Sequence, residues 1–267
     1  MCLLVVGWQA HPHYRLIIAA NRDEYHERPA APLAKWIVPS PDSSREPTDI
    51  IGGRDLRAGG TWLAVDRLRR VGVVTNYRDL QPPRANAPSR GQLILDYLTH
   101  PGGPREFLEM LQERARRYAG FNLLVGDAHT LWYASNRAQP FARALPPGIY
   151  GLSNHLLDTA WPKLTRVRGK FEAWLARTPS PPAAELLEML ADRAPATAHE
   201  ELPATGLTPE WERVLSAPFV LHPRYGTRSS TLLLLEATGA LSVHERRFDA
   251  AGLLSGETDI ALNATQW

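Results

Sequence analysis

The order of patterns along this 267-residue chain predicts an α+β fold in which antiparallel sheet is stacked with helices in separate layers. Three observations carry that expectation. Short runs rich in β-branched and aromatic residues open and close the chain, two blocks of helical periodicity lie between them, and the order is strands, helices, strands, helices, strands. There is no internal repeat or low-complexity tract, and the terminal hairpins are too short to hold cores of their own. Residues 1–267 therefore read as one domain.

Residues 3–9 (LLVVGWQ) and 14–20 (YRLIIAA) form an N-terminal hairpin across the polar AHPH. Pro29, Pro32, Pro39, Pro41 and Pro47 fall within residues 25–50 without apolar periodicity, which predicts an irregular surface excursion. TWLAVDRLRRVGVVTNY then repeats the pattern of strand, charged turn and strand. Ser89 is the expected cap of a helix running to Leu98, and Pro104 suits the first turn of a second helix, with Phe107, Leu108, Leu111 and Tyr118 at helical spacing. GFNLLVGD and TLWYASN give a further strand pair. Trp161, Leu164, Val167, Phe171 and Trp174 share one helix face, and PPAAELLEMLADR supplies another helix. Residues 194–208 read as a long loop, and RSSTLLLLEA and ALSVHERRF close the chain as a hairpin around Thr238-Gly239.

With 30 basic against 28 acidic residues, the chain carries no electrostatic footprint for nucleic acid or an anionic membrane. Its positive charge is nearly all arginine, since Lys35, Lys163 and Lys170 are the only lysines. The longest apolar runs fall far short of the ~20 residues of a membrane-spanning helix, so no integral membrane segment is expected. A single cysteine precludes an internal disulfide, and no charged leader with a long apolar region precedes the first strand. Both favour a reducing, cytoplasmic setting. His11 and His13 read as turn or surface residues, and no metal-ligand spacing appears among the nine histidines and the cysteine, so neither metal nor cofactor is expected.

That cysteine, Cys2, has two readings. Free cysteines are most often small buried hydrophobes. The chemical alternative follows from position: trimming of Met1 would leave Cys2 with a free α-amine of pKa about 7.7–8.0 beside its own thiol of about 8.5. One residue then holds nucleophile and general base. Such a site also needs a group to hold the amine and donors aimed at an oxyanion. Polar clusters at the ends of the expected strands offer them: Asn21–Glu24 (NRDE), Gly59–Trp62 (GGTW), Thr75–Tyr77 (TNY), Gly151–Asn154 (GLSN) and Tyr225–Thr231 (YGTRSST). Each has a local alternative, with Asn21 and Asp23 as turn residues, Gly59-Gly60 as a tight connection, and Asn76 or Asn154 bonding their own backbone.

At these residues the chain resembles the NRDE family, also called the transport-and-Golgi-organisation family. The match runs in order through NRDE, GGTWLAV, VTNYRD, SRGQL, YAGFNLLVGD, PPGIYGLSNHLLDTAWPK and YGTRSSTLLLL, nearly the whole chain. That family in turn resembles the N-terminal-nucleophile hydrolases, a four-layer αββα sandwich of antiparallel sheets. Within them it is most similar to the bile-salt hydrolase and penicillin V acylase group, which begins with the same Met-Cys pair. The resemblance implies that Cys2 attacks a linear amide or acyl (thio)ester bond, that Asp23 anchors its amine, and that Asn76 and Asn154 serve the oxyanion. Arg22 and Arg228 would be the accompanying arginines. Since neighbours on a strand point to opposite faces, Arg22 and Asp23 reach one site only where the strand has ended or bulged.

Trp8, Trp62 and Tyr77 are the candidate substrate-binding residues, the tryptophans as walls of an apolar acyl pocket. The competing function is a non-catalytic carrier or trafficking factor for haem or lipid on the same fold. In a third reading the eight tryptophans serve a partner interface. The expected ligand is a small amide, acyl or lipid-like molecule, with haem as the alternative. Substrate identity and oligomeric state stay open.

Overall fold

In the computed structural model of the chain, which describes residues 2–40, 42–79, 86–177, 182–197 and 202–267, the apolar run Leu3–Val6 forms the centre of β1 (Cys2–Trp8). Around it lie β2 (Tyr14–Tyr25), β10 (Gly148–Leu152), β11 (Tyr225–Glu236), β12 (Leu241–Phe248) and β13 (Leu254–Leu262). These pair as an antiparallel sheet in the order β10-β1-β2-β11-β12-β13. A second antiparallel sheet runs in chain order through β3 (Ala30–Val38), β4 (Thr48–Asp55), β5 (Leu63–Asp66), β6 (Val71–Asn76), β7 (Phe121–Gly126), β8 (Leu131–Ser135) and β9 (Ala142–Leu145). The chain divides accordingly into two units: residues 1–27, 78–80 and 147–267 hold the first sheet, and residues 28–77 and 81–146 hold the second.

In the first unit, α3 (Pro162–Leu175) and α4 (Ala183–Leu190) cover one sheet face. Leu164, Val167, Phe171 and Trp174 of α3 join Leu186 and Leu190 of α4 over Leu3, Val5, Ile17, Ala19, Leu232 and Leu234. Leu4, Val6 and Ile18 alternate with these along their strands and are buried too, so both faces of the central strands are covered. The close approach of α3 requires glycine beneath it. A Cβ on Gly151 would meet Leu164 at 2.7 Å, and one on Gly7 would meet Phe171 at 3.3 Å. The short α5 (Pro209–Val214), absent from the expected elements, starts at Thr208, whose hydroxyl accepts the Trp211 N–H.

In the second unit, α1 (Gln92–Leu98) and α2 (Pro104–Arg114) present Leu93, Ile94, Tyr97, Leu98, Phe107, Leu108 and Leu111 to Ile50, Val74, Leu123 and Val125. Pro104 occupies the first turn as expected. Ser89 does not cap α1. The helix begins at Gln92 after Gly91, and Ser89 contributes only a carbonyl to the Gln92 N–H.

The expected irregular excursion over residues 25–50 is corrected: β2 continues to Tyr25, and β3 pairs with β4. Proline is tolerated because β3 is the edge of its sheet and its register shifts between Ala31 and Ala34, which brackets Pro32. Pro41 lies outside the described residues, as do 198–201 of the expected loop. β9, β10 and β13 add strands that the sequence pattern left out. No helix among the described residues is long and apolar enough to cross a membrane.

Candidate active site

Strand register sets the site around Cys2. In the β1–β2 pairing Cys2 lies directly opposite Arg22, and directly paired residues project from the same face with Cβ atoms about 4.5–5.5 Å apart. β2 is continuous through Tyr25, so Arg22 and Asp23 project from opposite faces. Both nonetheless act on the half-buried Cys2. Burial pushes its thiol up, the Asp23 carboxylate adds to that, and the Arg22 guanidinium and a hydrogen bond from the Asp23 backbone N–H act the other way. The irregularity falls on the neighbouring strand, between Thr227 and Ser229 of β11, which makes Arg228 the extra residue of a bulge. The Arg228 guanidinium donates to the Tyr25 and His26 carbonyls at 3.1 and 2.8 Å.

Asp23 is 1% exposed and faces the helix layer with Asn21. Its Oδ1 accepts the Thr227 hydroxyl at 2.7 Å, and its backbone carbonyl accepts the Tyr225 hydroxyl at 2.9 Å. Burial pushes the carboxyl up, against the charge of Lys163, which is the strongest of the protein's side chains acting to lower it. Burial and the Asp23 and Cys2 charges also hold the Tyr225 phenol well above its ordinary value. Neither Asn21 nor Asp23 is a turn residue. Asn21 is a mid-strand knot whose Nδ2 donates to the carbonyls of Leu190 and Pro218, both at 2.9 Å, while its Oδ1 accepts the Ser230 hydroxyl at 2.6 Å.

The loop after β10 brackets Cys2 from its other side. Asn154, fully buried, accepts the Cys2 backbone N–H on Oδ1 at 3.3 Å, and the Ser153 hydroxyl donates to the Cys2 carbonyl at 3.2 Å. The Asn154 carbonyl accepts the Arg78 N–H at 2.6 Å. Arg78 is itself fixed by a buried ion pair with Glu212 at 2.5 Å and lies 4.5 Å over the Trp161 ring. Glu212 also accepts the Thr205 N–H at 3.0 Å. The structure thus brings Cys2, Arg22, Asp23 and Asn154 together.

Trp8 ends β1, six residues from Cys2, roughly 20 Å along the strand at about 3.3 Å per residue, and is buried. Asn76, Tyr77 and Trp62 belong to the second unit. Asn76 closes β6, the Tyr77 N–H donates to the Gly120 carbonyl at 3.0 Å, and the Trp62 ring lies where a Cβ on Gly53 would stand, 2.3 Å away.

Sequence reasoning missed Lys163, Arg78 and Glu212 as neighbours of the site, and Ser153 and Tyr225 lay within its candidate clusters without a role of their own. Lys163 sits inside the quoted DTAWPK and Arg78 inside VTNYRD, and the usable signal was a lysine next to Leu164 on an otherwise apolar helix face. Among the described residues no group of three or more His, Cys, Asp or Glu side chains is arranged to hold a metal ion.

The α+β fold of two antiparallel sheets matches solved structures of bile acid hydrolases. A mutant conjugated bile acid hydrolase from Clostridium perfringens aligns with a TM-score of 0.53 at 7% identity, covering 98% of this chain and 92% of that one. A second variant of the same enzyme gives 0.50 at 8%, with the same coverage. These likenesses show the fold. Residues 1–250 match the family described as Transport and Golgi organisation 2, and the chain belongs to that family. The human Transport and Golgi organization protein 2 homolog is 32% identical over 278 residues, covering 97% of each chain. The Drosophila melanogaster protein of that name is 26% identical over 264 residues, covering 89% of this chain and 88% of its own.

Proposed function

We propose that the protein is a hydrolase of linear amide or acyl (thio)ester bonds that works through an acyl group carried on Cys2. The observation that supports this most is the seating of Cys2, with its side chain across from Arg22 and its backbone nitrogen on Asn154 Oδ1 at 3.3 Å. In the proposed reaction, removal of Met1 frees the Cys2 α-amine; Met1 lies outside the described residues. The amine takes the thiol proton, and the sulfur attacks the acyl carbon to form a C–S bond. The C–N bond then breaks and the departing amine carries the proton away; with a (thio)ester substrate the departing alcohol or thiol does so. Water cleaves the thioester to release a carboxylic acid and restore the thiol. A thiol pushed up by burial is a poor nucleophile unaided, so the base is essential.

Within this reading Asp23 anchors the amine, Arg22 supplies positive charge beside Cys2, Asn154 serves the oxyanion side while its Oδ1 holds the Cys2 nitrogen, and the role of Arg228 rests on the motif resemblance. The oxyanion role of Asn76 and the substrate-binding roles of Trp62, Tyr77 and Trp8 rest on the motif resemblance alone. The proposed setting is cytoplasmic, where a lone thiol stays reduced. Single-turnover assays on a panel of amides and thioesters test the reading. Turnover by the wild type that Cys2→Ala abolishes supports it, and equal background rates for both overturn it.

The names of the relatives favour a second reading, since they speak of transport and Golgi organisation and of no reaction. On it the same residues line a ligand pocket for haem or lipid. A Soret band on haem titration that Cys2→Ser abolishes would support it, and an unchanged spectrum would remove haem.

A further inference from the structure

The chemistry above leaves the buried charge of Lys163 unused. Lys163 is 1% exposed in the first turn of α3. Its position follows from how α3 lies along β1 and β10. Leu164 fills the space over Gly151, which pairs with Val5, and Phe171 fills the space over Gly7, so the N-terminal end of α3 points toward the Cys2 end of β1. Lys163 thereby enters the helix-side layer that also receives Asp23. Its Nζ has no hydrogen-bond partner among the described residues. The charged or titratable groups facing it are Asp23 from β2, Arg78 from the segment after β6, and Cys2 from β1. Among the described residues Lys163, Arg22 and the Thr227 hydroxyl act on the Asp23 carboxyl, and the Tyr225 hydroxyl donates to its backbone carbonyl.

We propose that Lys163 is a positioning residue for proton transfer at Cys2: it shares the Asp23 carboxylate with the chain-start amine, so that Asp23 holds the amine without locking it as ammonium. The inference rests on the Cys2 reading above. A buried carboxylate alone beside an amine stabilises the charged form and removes the lone pair that must accept the thiol proton. A second cation on the same carboxylate opposes that. The thiol proton passes from sulfur to the α-amine nitrogen and then to the departing group, and Lys163 neither gains nor loses a proton. Burial brings the Lys163 ammonium down to about 8, while Asp23 is the strongest group holding it up.

Because Cys2 is the only cysteine, alkylation by iodoacetamide reads this site alone. The protein is compared as wild type, Lys163→Met and Lys163→Arg, with Met1 removed by aminopeptidase where it is retained. Lys163→Met should raise the titration midpoint of the Cys2 α-amine, followed by NMR beside the alkylation profile, by about one unit or more, and Lys163→Arg should keep it near the wild-type value. A Lys163→Met profile that superimposes on wild type overturns the proposal. Should that variant not fold, NMR titration of the three lysines in wild type and Asp23→Asn decides instead. Lys163 should titrate near 8 in the wild type and lower still in Asp23→Asn, and a titration unmoved by Asp23→Asn overturns the proposal. Neither readout needs a substrate, so coupling without turnover on any amide or thioester would sink the hydrolase reading alone.

Discussion

Two buried aspartates, one in each unit, sit in similar burial and are put to different use. Asp66 ends β5, is fully buried, and closes the turn to β6. Its Oδ1 accepts the backbone N–H of Leu68 and of Arg70, both at 2.9 Å, and its Oδ2 accepts Arg70 Nε at 2.7 Å. Arg70 then donates to the His100 carbonyl at 2.7 Å and to the Leu98 carbonyl, tying the turn to the end of α1. Asp23 is as deeply buried, and burial pushes both carboxyls up. Among the described residues its side chain, however, accepts the neutral Thr227 hydroxyl and feels the charge of Lys163, whose Nζ makes no hydrogen bond there. Burial alone therefore does not separate a structural carboxylate from one available for chemistry. The kind of partner does: directional N–H donors spend the charge on a turn, whereas a cation without fixed hydrogen bonds leaves it shareable.

Removing Asp66 should break that comparison hardest. Asp66→Ala leaves the turn N–H groups and Arg70 without their acceptor and should cost about 4–5 kcal/mol in urea denaturation, with the pH midpoint of Cys2 alkylation unchanged. Glu212→Gln should come next, at about 3–4 kcal/mol, because it strands the buried Arg78 guanidinium. Unlike Asp66→Ala it should also disturb Cys2 alkylation, since Arg78 holds the Asn154 carbonyl.

Lys163 gives a pH signature. Its folded-state pKa of about 8 lies below the roughly 10.4 of an unfolded lysine, so between those values the unfolded chain binds more protons and stability rises with pH. Below about 8 both states are protonated and the penalty is constant. Relative to Lys163→Met, the wild type should gain about 3 kcal/mol across that window in denaturation at stepped pH. The smallest expected effect is Asn154→Ala, about 1–2 kcal/mol for a lost acceptor at the Cys2 backbone nitrogen, accompanied by altered Cys2 reactivity.

Much of the scaffold was legible because its central strands are buried on both faces and read as continuous apolar runs, such as Leu3–Val6 and Leu232–Leu235. β3 was hidden by Pro32, which only an edge strand with a register shift accommodates, and β13 by its polar, exposed edge sequence LSGETDIAL. At the site, the motif residues Cys2, Asp23 and Asn154 could be picked out from the sequence, but not which face each strand residue takes. Whether Arg22 lies beside the cysteine depends on a β1–β2 register that no local pattern encodes, and the Arg228 bulge is a property of the pairing. Lys163 escaped because a periodicity argument counts lysine as polar and assigns it to solvent.

The most direct test of the account is the intact mass of the purified protein before and after incubation with an activated acyl thioester. The account predicts a chain lacking Met1 that gains one acyl group on Cys2, with no gain in Cys2→Ala. A chain that keeps Met1 and takes up no acyl group would contradict it.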